Sequence, residues 1–189
     1  MEKKQRIIIG ISGASGIIYG IKLLKELRNT SLETHLVITK SAELTLSYES
    51  SLKSSEIKKF ADFVHPVGDV GASISSGSFS TLGMIIAPCS VRTASEISTG
   101  VTSNLLTRAA DVTLKEKRKL VLMIRESPLH TGHLRTLTNL SEIGAIIAPP
   151  LPAFYANPKT LDDIVSHSTG RVLDLFNIKN NLVNRWGEE

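Results

Sequence analysis

The 189-residue sequence has few cysteines and aromatic residues, and it lacks a long apolar run. Its single cysteine, Cys89, excludes an intramolecular disulfide and fits a reducing compartment. No stretch approaches the ~20 apolar residues of a transmembrane helix. The formal net charge of +4 is spread along the chain, and no basic run is interleaved with aromatic residues. We therefore expect a cytoplasmic protein that neither crosses a membrane nor binds nucleic acid.

The sequence also lacks an obvious set of metal ligands or nucleophiles. Its five histidines are scattered, and no Asp or Glu is placed to complete a metal site with His130 and His133, which lie at the start of a predicted helix. We expect no metal ion and solvent-exposed histidines. Cys89 lies between Pro88 and Ser90 without a histidine in the local sequence, which favours a small buried residue over a nucleophile.

The most informative segment is a Gly/Ser-rich turn near the start of the chain, Gly10–Gly16. It follows the apolar run Ile7–Ile9, which is typical of a buried parallel strand, and precedes apolar residues with helical spacing from Ile17 onward. A turn between a strand and a helix presents backbone N–H groups that bind anions. The serines lack the spacing of a nucleophile elbow, so we expect Ser12 and Ser15 to hydrogen-bond to a cofactor.

This turn is close to the dinucleotide fingerprint G-x-G-x-x-G but differs from it, because Ser12 stands at the second glycine. A nicotinamide-binding unit also carries a carboxylate after its second strand. Here the second apolar run, Leu36–Ile38, is followed by Thr39 and Lys40, a hydroxyl and a cation. The sequence therefore favours a mononucleotide or a phosphate ester over NAD, with a turn that binds no ligand as the alternative.

Strand-like and helical patterns alternate along the chain, which indicates a single α/β domain, residues 1–189, with a mostly parallel sheet between layers of helices. The predicted strands are Ile7–Ile11, His35–Thr39, Met84–Ala87, Leu120–Ile124 and Ala145–Ala148, with a weaker one at Phe63–Val67. The predicted helices are Ile17–Leu27, Ser41–Glu49, Ser55–Phe63, Val91–Ser98, Asn104–Arg118, Leu134–Ile143 and Leu161–Phe176. A Gly- and Ser-rich stretch, Gly68–Gly83, is the longest irregular segment, and loops of that length are usually functional.

Polar residues follow the predicted strands, where an open parallel sheet binds its ligands. Thr39 and Lys40 follow the second strand, and Arg125 and Glu126 follow Leu120–Ile124. We expect hydroxyls, two or three cations and a carboxylate to meet at this edge. Because the strand before Arg125 is apolar, we expect a buried guanidinium whose anionic partner is a ligand phosphate.

Two cations lie on one face of the predicted helix Asn104–Arg118. Arg108 and Lys115 are two helical turns apart, and Asp111 lies between them. This spacing is typical of a solvent-exposed ladder of ion pairs. It also suits a cationic wall that faces a phosphate, and the spacing leaves both interpretations open.

Several longer motifs together resemble the UbiX/Pad1 flavin prenyltransferases, over nearly the whole chain and in the family's order. They are Gly10–Gly16, Ser76–Phe79, Ala87–Ser90, Thr107–Glu116, Arg125–Leu129, Pro152–Tyr155 and Arg185–Glu188. The resemblance implies a Rossmann-like (flavodoxin-like) three-layer sandwich, a homododecamer with FMN at subunit contacts, and a tail, about 177–189, that docks on a neighbouring subunit. One departure is Val70-Gly71-Ala72, where some family members carry a tryptophan.

The resemblance also implies the reaction. The dimethylallyl group of dimethylallyl phosphate would be joined to N5 and C6 of reduced FMN, without a metal, and the prenylated FMN would serve UbiD-type decarboxylases. The implied FMN contacts are Gly13, Ala14, Ser15, Thr39, Ser90, Val91, Arg92, Thr93 and Arg125. The implied substrate contacts are Arg108, Lys115, Glu126, Tyr155, Arg171 and Trp186. Catalytic roles are implied for Lys115, Glu126, Ser15 and Glu49, the last two in proton movement.

Other functions remain as alternatives to prenyl transfer. An FMN-dependent cysteine decarboxylase of the related flavoprotein family carries a catalytic histidine and an Asn-rich substrate motif, and neither is found in this sequence. The chain could also be a non-catalytic FMN carrier or a partner subunit of an aryl-acid decarboxylase. The absence of an Asp-rich diphosphate motif agrees with a metal-independent reaction on a monophosphate.

Overall fold

The computed structural model describes residues 4–183, 185 and 187. Its sheet contains six parallel strands in the order β3-β2-β1-β4-β5-β6. The strands are β1 (Arg6–Ile11), β2 (Glu33–Ile38), β3 (Phe63–His65), β4 (Gly83–Cys89), β5 (Lys119–Ile124) and β6 (Ala145–Ile147). The helices are α1 (Ile17–Leu27), α2 (Lys40–Glu49), α3 (Ser54–Lys58), α4 (Val91–Ser98), α5 (Leu105–Lys115), α6 (Thr131–Glu142) and α7 (Leu161–Leu175).

The helices cover both faces of the sheet. Helices α1, α2, α3 and α7 contribute to one apolar cluster, and α4, α5 and α6 contribute to the other. Strands β1 and β4 are buried along almost their whole length, which explains their continuous rather than alternating apolar sequences. The predicted three-layer α/β fold with a parallel sheet is therefore confirmed.

The strand order reverses between β1 and β4. The chain passes from β1 outward to β2 and β3, and then returns to place β4 on the other side of β1. In open α/β sheets this topological switch point leaves a crevice outside the carboxyl ends of the two strands, and ligands bind there. We therefore expect a ligand site in the loops that follow β1 and β4.

Some predicted boundaries were wrong. The predicted helix Ser55–Phe63 ends at Lys58, because the Asp62 carboxylate accepts hydrogen bonds from the N–H and hydroxyl of Thr34 and so draws the chain alongside β2. Helix α6 begins at Thr131 rather than Leu134, since the His130 ring accepts hydrogen bonds from the first turn. Over the described ranges, no helix is long and apolar enough to span a bilayer.

The segment Gly68–Gly83 is more ordered than its composition indicates. It contains a 3-10 turn, Ser73–Ser75, whose Ile74 is buried in the core. The Arg118 guanidinium donates to the carbonyl oxygens of Gly77 and Phe79, at 2.6 and 2.8 Å. These contacts hold the segment against the end of α5, near the amino edge of the sheet.

Candidate functional site

Two loops meet in the crevice between β1 and β4, and Ser12 joins them. The Ser12 hydroxyl donates to the carbonyl oxygen of Pro88 at 3.0 Å and accepts from the N–H of Ser90 at 2.8 Å. Ser12 is 1% exposed. The expectation that its hydroxyl binds a cofactor was wrong, because the hydroxyl is buried and bonded to the neighbouring loop. Ser12 instead fixes the position of that loop.

The first turn of α1 is the predicted anion site, and a side chain of the same protein fills it. The Glu49 carboxylate accepts hydrogen bonds from the N–H groups of Gly16, at 2.9 Å, and Ile17, at 3.0 Å. Gly16 has a left-handed backbone, with φ 101°, which only glycine adopts without strain. This helix end therefore holds an anion, but the anion is the Glu49 carboxylate and not a bound ligand.

The environment of Glu49 keeps it ionised. Desolvation is the largest single influence and would raise its pKa, but hydrogen bonds from the Ser15 side chain and from the two N–H groups act in the opposite direction. The nearby charge of Arg125 adds to them, and the net result is a pKa of Glu49 below its usual value. Ser15 and Glu49, which the resemblance implies as a proton-moving pair, therefore lie in hydrogen-bond contact.

The Gly13 backbone packs tightly against α2. A Cβ at this position would lie 2.4 Å from the Cβ of Ser41, so the close approach requires glycine. Thr39 follows β2 and caps α2, with its hydroxyl accepting from the N–H of Ala42 at 3.1 Å. The loop residues Gly13, Ala14 and Ser15 are thus held beside the start of α2.

Ser90 caps α4 in the same way. Its hydroxyl accepts from the N–H of Thr93 at 3.2 Å and donates to the Thr93 hydroxyl at 3.1 Å. Val91 and Arg92 form the first turn, whose N–H groups have no intrahelical partner. Arg92 points outward, with 84% of its side chain exposed, and pairs with Glu96.

Arg125 follows β5 at the same edge. Its N–H donates to the carbonyl oxygen of Cys89 at 3.1 Å, which aligns it with the loop after β4. The prediction of a buried guanidinium was wrong. Strand β5 is buried from Leu120 to Ile124, but Arg125, which follows the strand, is exposed. Glu126 is exposed as well, and its carboxylate accepts from the N–H of Ser127.

The predicted FMN contacts therefore share one edge of the sheet. The strands β2, β1, β4 and β5 are neighbours in the sheet, and the loops that follow them, with the first turn of α4, contain all of these residues: Gly13, Ala14, Ser15, Thr39, Ser90, Val91, Arg92, Thr93 and Arg125.

A second cluster lies beyond β6, where sequence analysis predicted only Tyr155 and Arg171. The Tyr155 hydroxyl lies 3.2 Å from Nε2 of His167, and the two rings meet edge to face. His167 and Arg171 are one turn apart on α7 and line the same groove, of about 320 Å³, with Pro149–Leu151. The Arg171 guanidinium pairs with Asp174 at 2.9 Å, and Arg185 of the tail pairs with the same carboxylate.

The expectation of solvent-exposed histidines was wrong for two of them. His167 is 8% exposed, and His35 is 3% exposed between His65 and Glu33. Desolvation, reinforced by the charge of Arg171, holds the pKa of His167 below its usual value. A signal for His167 was available, since it stands four residues before Arg171 on a predicted helix.

Lys115 does not join Arg125 within one chain. Helix α5 starts near the carboxyl edge, where the N–H of Leu105 bonds to the carbonyl of Val67, and it ends next to the start of β5. The length of β5, ~17 Å at ~3.3 Å per residue, therefore separates the end with Lys115 from Arg125. The Arg108 guanidinium pairs with the Asp111 carboxylate at 2.8 Å, and this contact agrees with the interpretation of the helix face as a ladder of ion pairs.

Two further predicted residues have different outcomes. Cys89 is completely buried, and desolvation raises the pKa of its thiol far above the usual value, so its prediction as a structural residue is confirmed. Trp186 lies outside the described residues. Within the described ranges, no group of three His, Cys, Asp or Glu side chains could hold a metal ion.

The sequence is similar to known proteins along nearly its whole length. Residues 1–173 match the Flavoprotein family. The flavin prenyltransferase UbiX of Thauera aromatica is 55% identical over 181 residues, which cover 96% of this chain and 93% of that protein. The flavin prenyltransferase UbiX of Escherichia coli K12 is 55% identical over 185 residues, which cover 96% of this chain and 98% of that protein.

Solved structures of similar proteins have the same fold as this chain. The crystal structure of AnUbiX (PadA1) in complex with FMN and dimethylallyl pyrophosphate has a TM-score of 0.97 at 43% identity, covering 99% of this chain and all of that chain. A dodecameric FMN-dependent UbiX-like decarboxylase from E. coli O157:H7 has a TM-score of 0.94 at 46% identity, and the match covers 96% of this chain and 99% of that chain. The peptidyl-cysteine decarboxylase EpiD, at 16% identity and a TM-score of 0.66, shares the fold alone. The fold, the shared motifs and identity along nearly the whole chain lead to one assignment: this chain belongs to the UbiX flavin prenyltransferases of the Flavoprotein family.

Proposed function

We propose that this protein transfers the dimethylallyl group of dimethylallyl phosphate to N5 and C6 of reduced FMN. The observation that carries the proposal is the convergence of hydroxyls, helix N–H groups and Arg125 on four neighbouring strand ends, next to an ionised Glu49. Such a set of donors suits a flavin mononucleotide, whose phosphate and ribityl oxygens accept hydrogen bonds.

The chain's own side chains fit FMN at this edge. Glu49 already occupies the first turn of α1, so the phosphate is expected at the first turn of α4, where Val91 and Arg92 present N–H groups. The hydroxyls of Thr39 and Ser90 lie on the two helix caps beside this position. Reduced flavin, when bound, supplies the nucleophilic N5 and C6 atoms.

Prenyl transfer breaks an allylic C–O bond, and the bonding electrons leave with the phosphate oxygen. Cations and hydroxyl donors that are already oriented stabilise that charge without reorganisation. Arg171 and Tyr155 are expected to bind the phosphate from the groove beside β6, with Glu126 beside it at the end of β5. The groove has an apolar wall formed by Ile147 and Pro149–Leu151. Such a wall would keep water from the allylic cation.

Ser15 and Glu49 are expected to move a proton. The carboxylate is ionised at neutral pH, since its pKa is lowered, and it is hydrogen-bonded to the Ser15 side chain. A proton released near Ser15 Oγ can therefore pass to the Glu49 carboxylate. The two N–H groups that bind Glu49 hold it in position for this transfer.

Lys115 is expected to act in the site of a neighbouring subunit. Within one chain it lies at the opposite end of β5 from Arg125, so a site that contains both requires a second copy. The dodecameric E. coli O157:H7 relative offers a precedent for assembly. We infer a homododecamer in which α5, with Arg108 and Lys115, faces the flavin edge of the next chain.

The prenyl donor and the recipient complete the proposal. One relative was crystallised with dimethylallyl pyrophosphate. Protein cations suffice for a monophosphate, so no divalent metal is needed, and dimethylallyl phosphate is the expected donor. The expected product is a modified flavin, and the family resemblance implies a UbiD-type decarboxylase as its recipient.

The test is an anaerobic incubation of the purified protein with reduced FMN and dimethylallyl phosphate, followed by mass spectrometry of the released flavin. The expected product is heavier than FMN by one five-carbon prenyl unit. Unmodified FMN as the only flavin would contradict prenyl transfer and favour a carrier role. A parallel incubation with phenylacrylic acid, without a partner enzyme, is expected to release no carbon dioxide.

A further inference from the structure

His167 lies between the two groups expected to bind the phosphate. Its Nε2 atom is 3.2 Å from the Tyr155 hydroxyl oxygen, and its own helix carries Arg171 one turn later. The imidazole is buried, whereas about half of each of the Tyr155 and Arg171 side chains is exposed. A buried polar ring that contacts an exposed phenol can fix that phenol's direction without touching the ligand itself.

We propose that His167 is a positioning residue: its Nε2–H donates to the phenol oxygen of Tyr155 and directs the phenol O–H toward the phosphate held by Arg171. The proposal rests on the proposed function, since it assigns Tyr155 and Arg171 to the phosphate. It adds a residue to the site that the family motifs in this sequence do not contain.

The hydrogen-bond inventory supports this direction of donation. A neutral imidazole has one N–H donor and one acceptor nitrogen, so Nε2 either donates to Tyr155 or accepts from it. If Nε2 accepted, the phenol O–H would donate to the ring, and only oxygen lone pairs would face the phosphate. A phosphate oxygen is itself an acceptor, so no hydrogen bond would form between them. If Nε2 donates, the phenol oxygen accepts from the ring and its O–H points to the anion.

The ring's surroundings favour a neutral imidazole. Desolvation and the charge of Arg171 both hold the pKa of His167 low, while Asp174 acts against them more weakly. A neutral ring adds no further cation beside Arg171, which leaves Arg171 paired with Asp174 in the geometry of the structure. The edge-to-face contact between the rings, with centroids 5.7 Å apart, fixes the phenol's tilt as well.

A matched pair of amides tests the proposal. His167→Gln extends an amide N–H to about the place of Nε2, whereas the shorter His167→Asn does not reach the phenol. Tyr155→Phe and the double variant His167→Asn/Tyr155→Phe complete a double-mutant cycle, and Ser166→Ala, one residue away on α7, is the control. Turnover of dimethylallyl phosphate with saturating reduced FMN gives KM and kcat, and flavin titration gives the FMN affinity.

We expect His167→Asn to raise KM for dimethylallyl phosphate ~3–10-fold, the loss of one hydrogen bond, while kcat and FMN affinity stay near the wild-type values. His167→Gln should stay close to wild type. The double variant should be no worse than Tyr155→Phe, because both changes remove the same interaction. If His167→Asn does not fold, His167→Phe, which keeps an aromatic ring without a donor, takes its place with the same expectations.

A wild-type KM in His167→Asn would overturn the proposal, as would losses that multiply in the double variant or a Gln variant as impaired as the Asn variant. Those outcomes leave the proposed function intact if wild type makes prenylated flavin. A wild-type protein that makes none overturns both. A loss of FMN binding in His167→Asn with Ser166→Ala unaffected would show that the ring supports the fold rather than the phenol.

Discussion

The N–H of Ser90 donates a hydrogen bond of 2.8 Å to the hydroxyl of Ser12, and this bond joins the loops on the two sides of the switch point. Ser12→Ala leaves that N–H without a buried partner, and it removes one of the two hydrogen bonds to the Pro88 carbonyl, which keeps the bond from the Ser12 N–H. The free energy of unfolding should fall by about 1–3 kcal/mol, and FMN affinity should fall with it, because the α4 cap loses its alignment. Urea denaturation and a flavin titration measure the two effects. Ser47→Ala, which removes an exposed hydroxyl, is the control and should change neither.

Glu49→Gln tests the charge at the start of α1. The folded-state pKa of Glu49 is lowered, so its ionisation stabilises the fold above the unfolded pKa, and this contribution is lost as the pH falls through the folded pKa. The Tm difference between wild type and Glu49→Gln should thus be present at pH 7 and shrink on acidification. Thermal melts between pH 7 and pH 3 measure it, with Glu142→Gln as the exposed control. A difference that grows in acid would contradict the assignment of an ionised carboxylate.

Arg171→Ala should separate turnover from flavin binding. Asp174 keeps its ion pair with Arg185 in this variant, so the fold is expected to persist. Loss of one preorganised cation should lower kcat by about 10²–10³-fold while FMN stays bound. Single-turnover assays and flavin absorbance provide the two readouts, and Arg135→Ala on exposed α6 is the control. Loss of the flavin itself would mean that Arg171 belongs to the cofactor site.

The separation of Lys115 and Arg125 predicts complementation between subunits. Lys115→Ala and Arg125→Ala should each be inactive alone. Mixed assemblies, refolded from equal amounts, should recover about a quarter of wild-type activity, the share expected when each site draws the two residues from different, randomly mixed chains. Mixing Lys115→Ala with the double variant should recover none. If the first mixture also stays inactive, the two residues do not meet across a subunit contact.

Cys89 should be inert in the folded protein. Its thiol is completely buried and its pKa is raised by desolvation, so little thiolate forms and none is accessible. Mass spectrometry after treatment with iodoacetamide at pH 8 should find unmodified native protein and singly modified unfolded protein. Rapid alkylation of the native protein would reopen the interpretation of Cys89 as a nucleophile.

Elements with strong local signals were predicted well. Helices α1 and α4 have the bounds that the apolar spacing indicates, and β1 and β5 lie where continuous apolar runs predict buried strands. Edge strand β3 is short and half-exposed, with Phe63 49% exposed, so its sequence lacked the apolar run that identifies the central strands.

The site was predicted where it depends on the ends of strands. It was not predicted where it depends on contacts between distant segments. Glu49 reaches the first turn of α1 from the far end of α2, 33 residues away, and no local pattern encodes that contact. The burial of β5 was wrongly extended to Arg125, because an apolar strand gives no information on the residue that follows it. The distance between Lys115 and Arg125 follows from the direction of α5, which only the topology fixes.

The caps of α2 and α4 have a consequence for product release. The two caps present neutral hydroxyl and N–H donors, and a hydrogen bond from a neutral donor to a phosphate is weaker than a bidentate pair with an arginine. A mononucleotide held mainly in this way dissociates more readily than one gripped by a cluster of cations. The proposed transfer of the finished flavin to a UbiD-type decarboxylase would be easier from such a site.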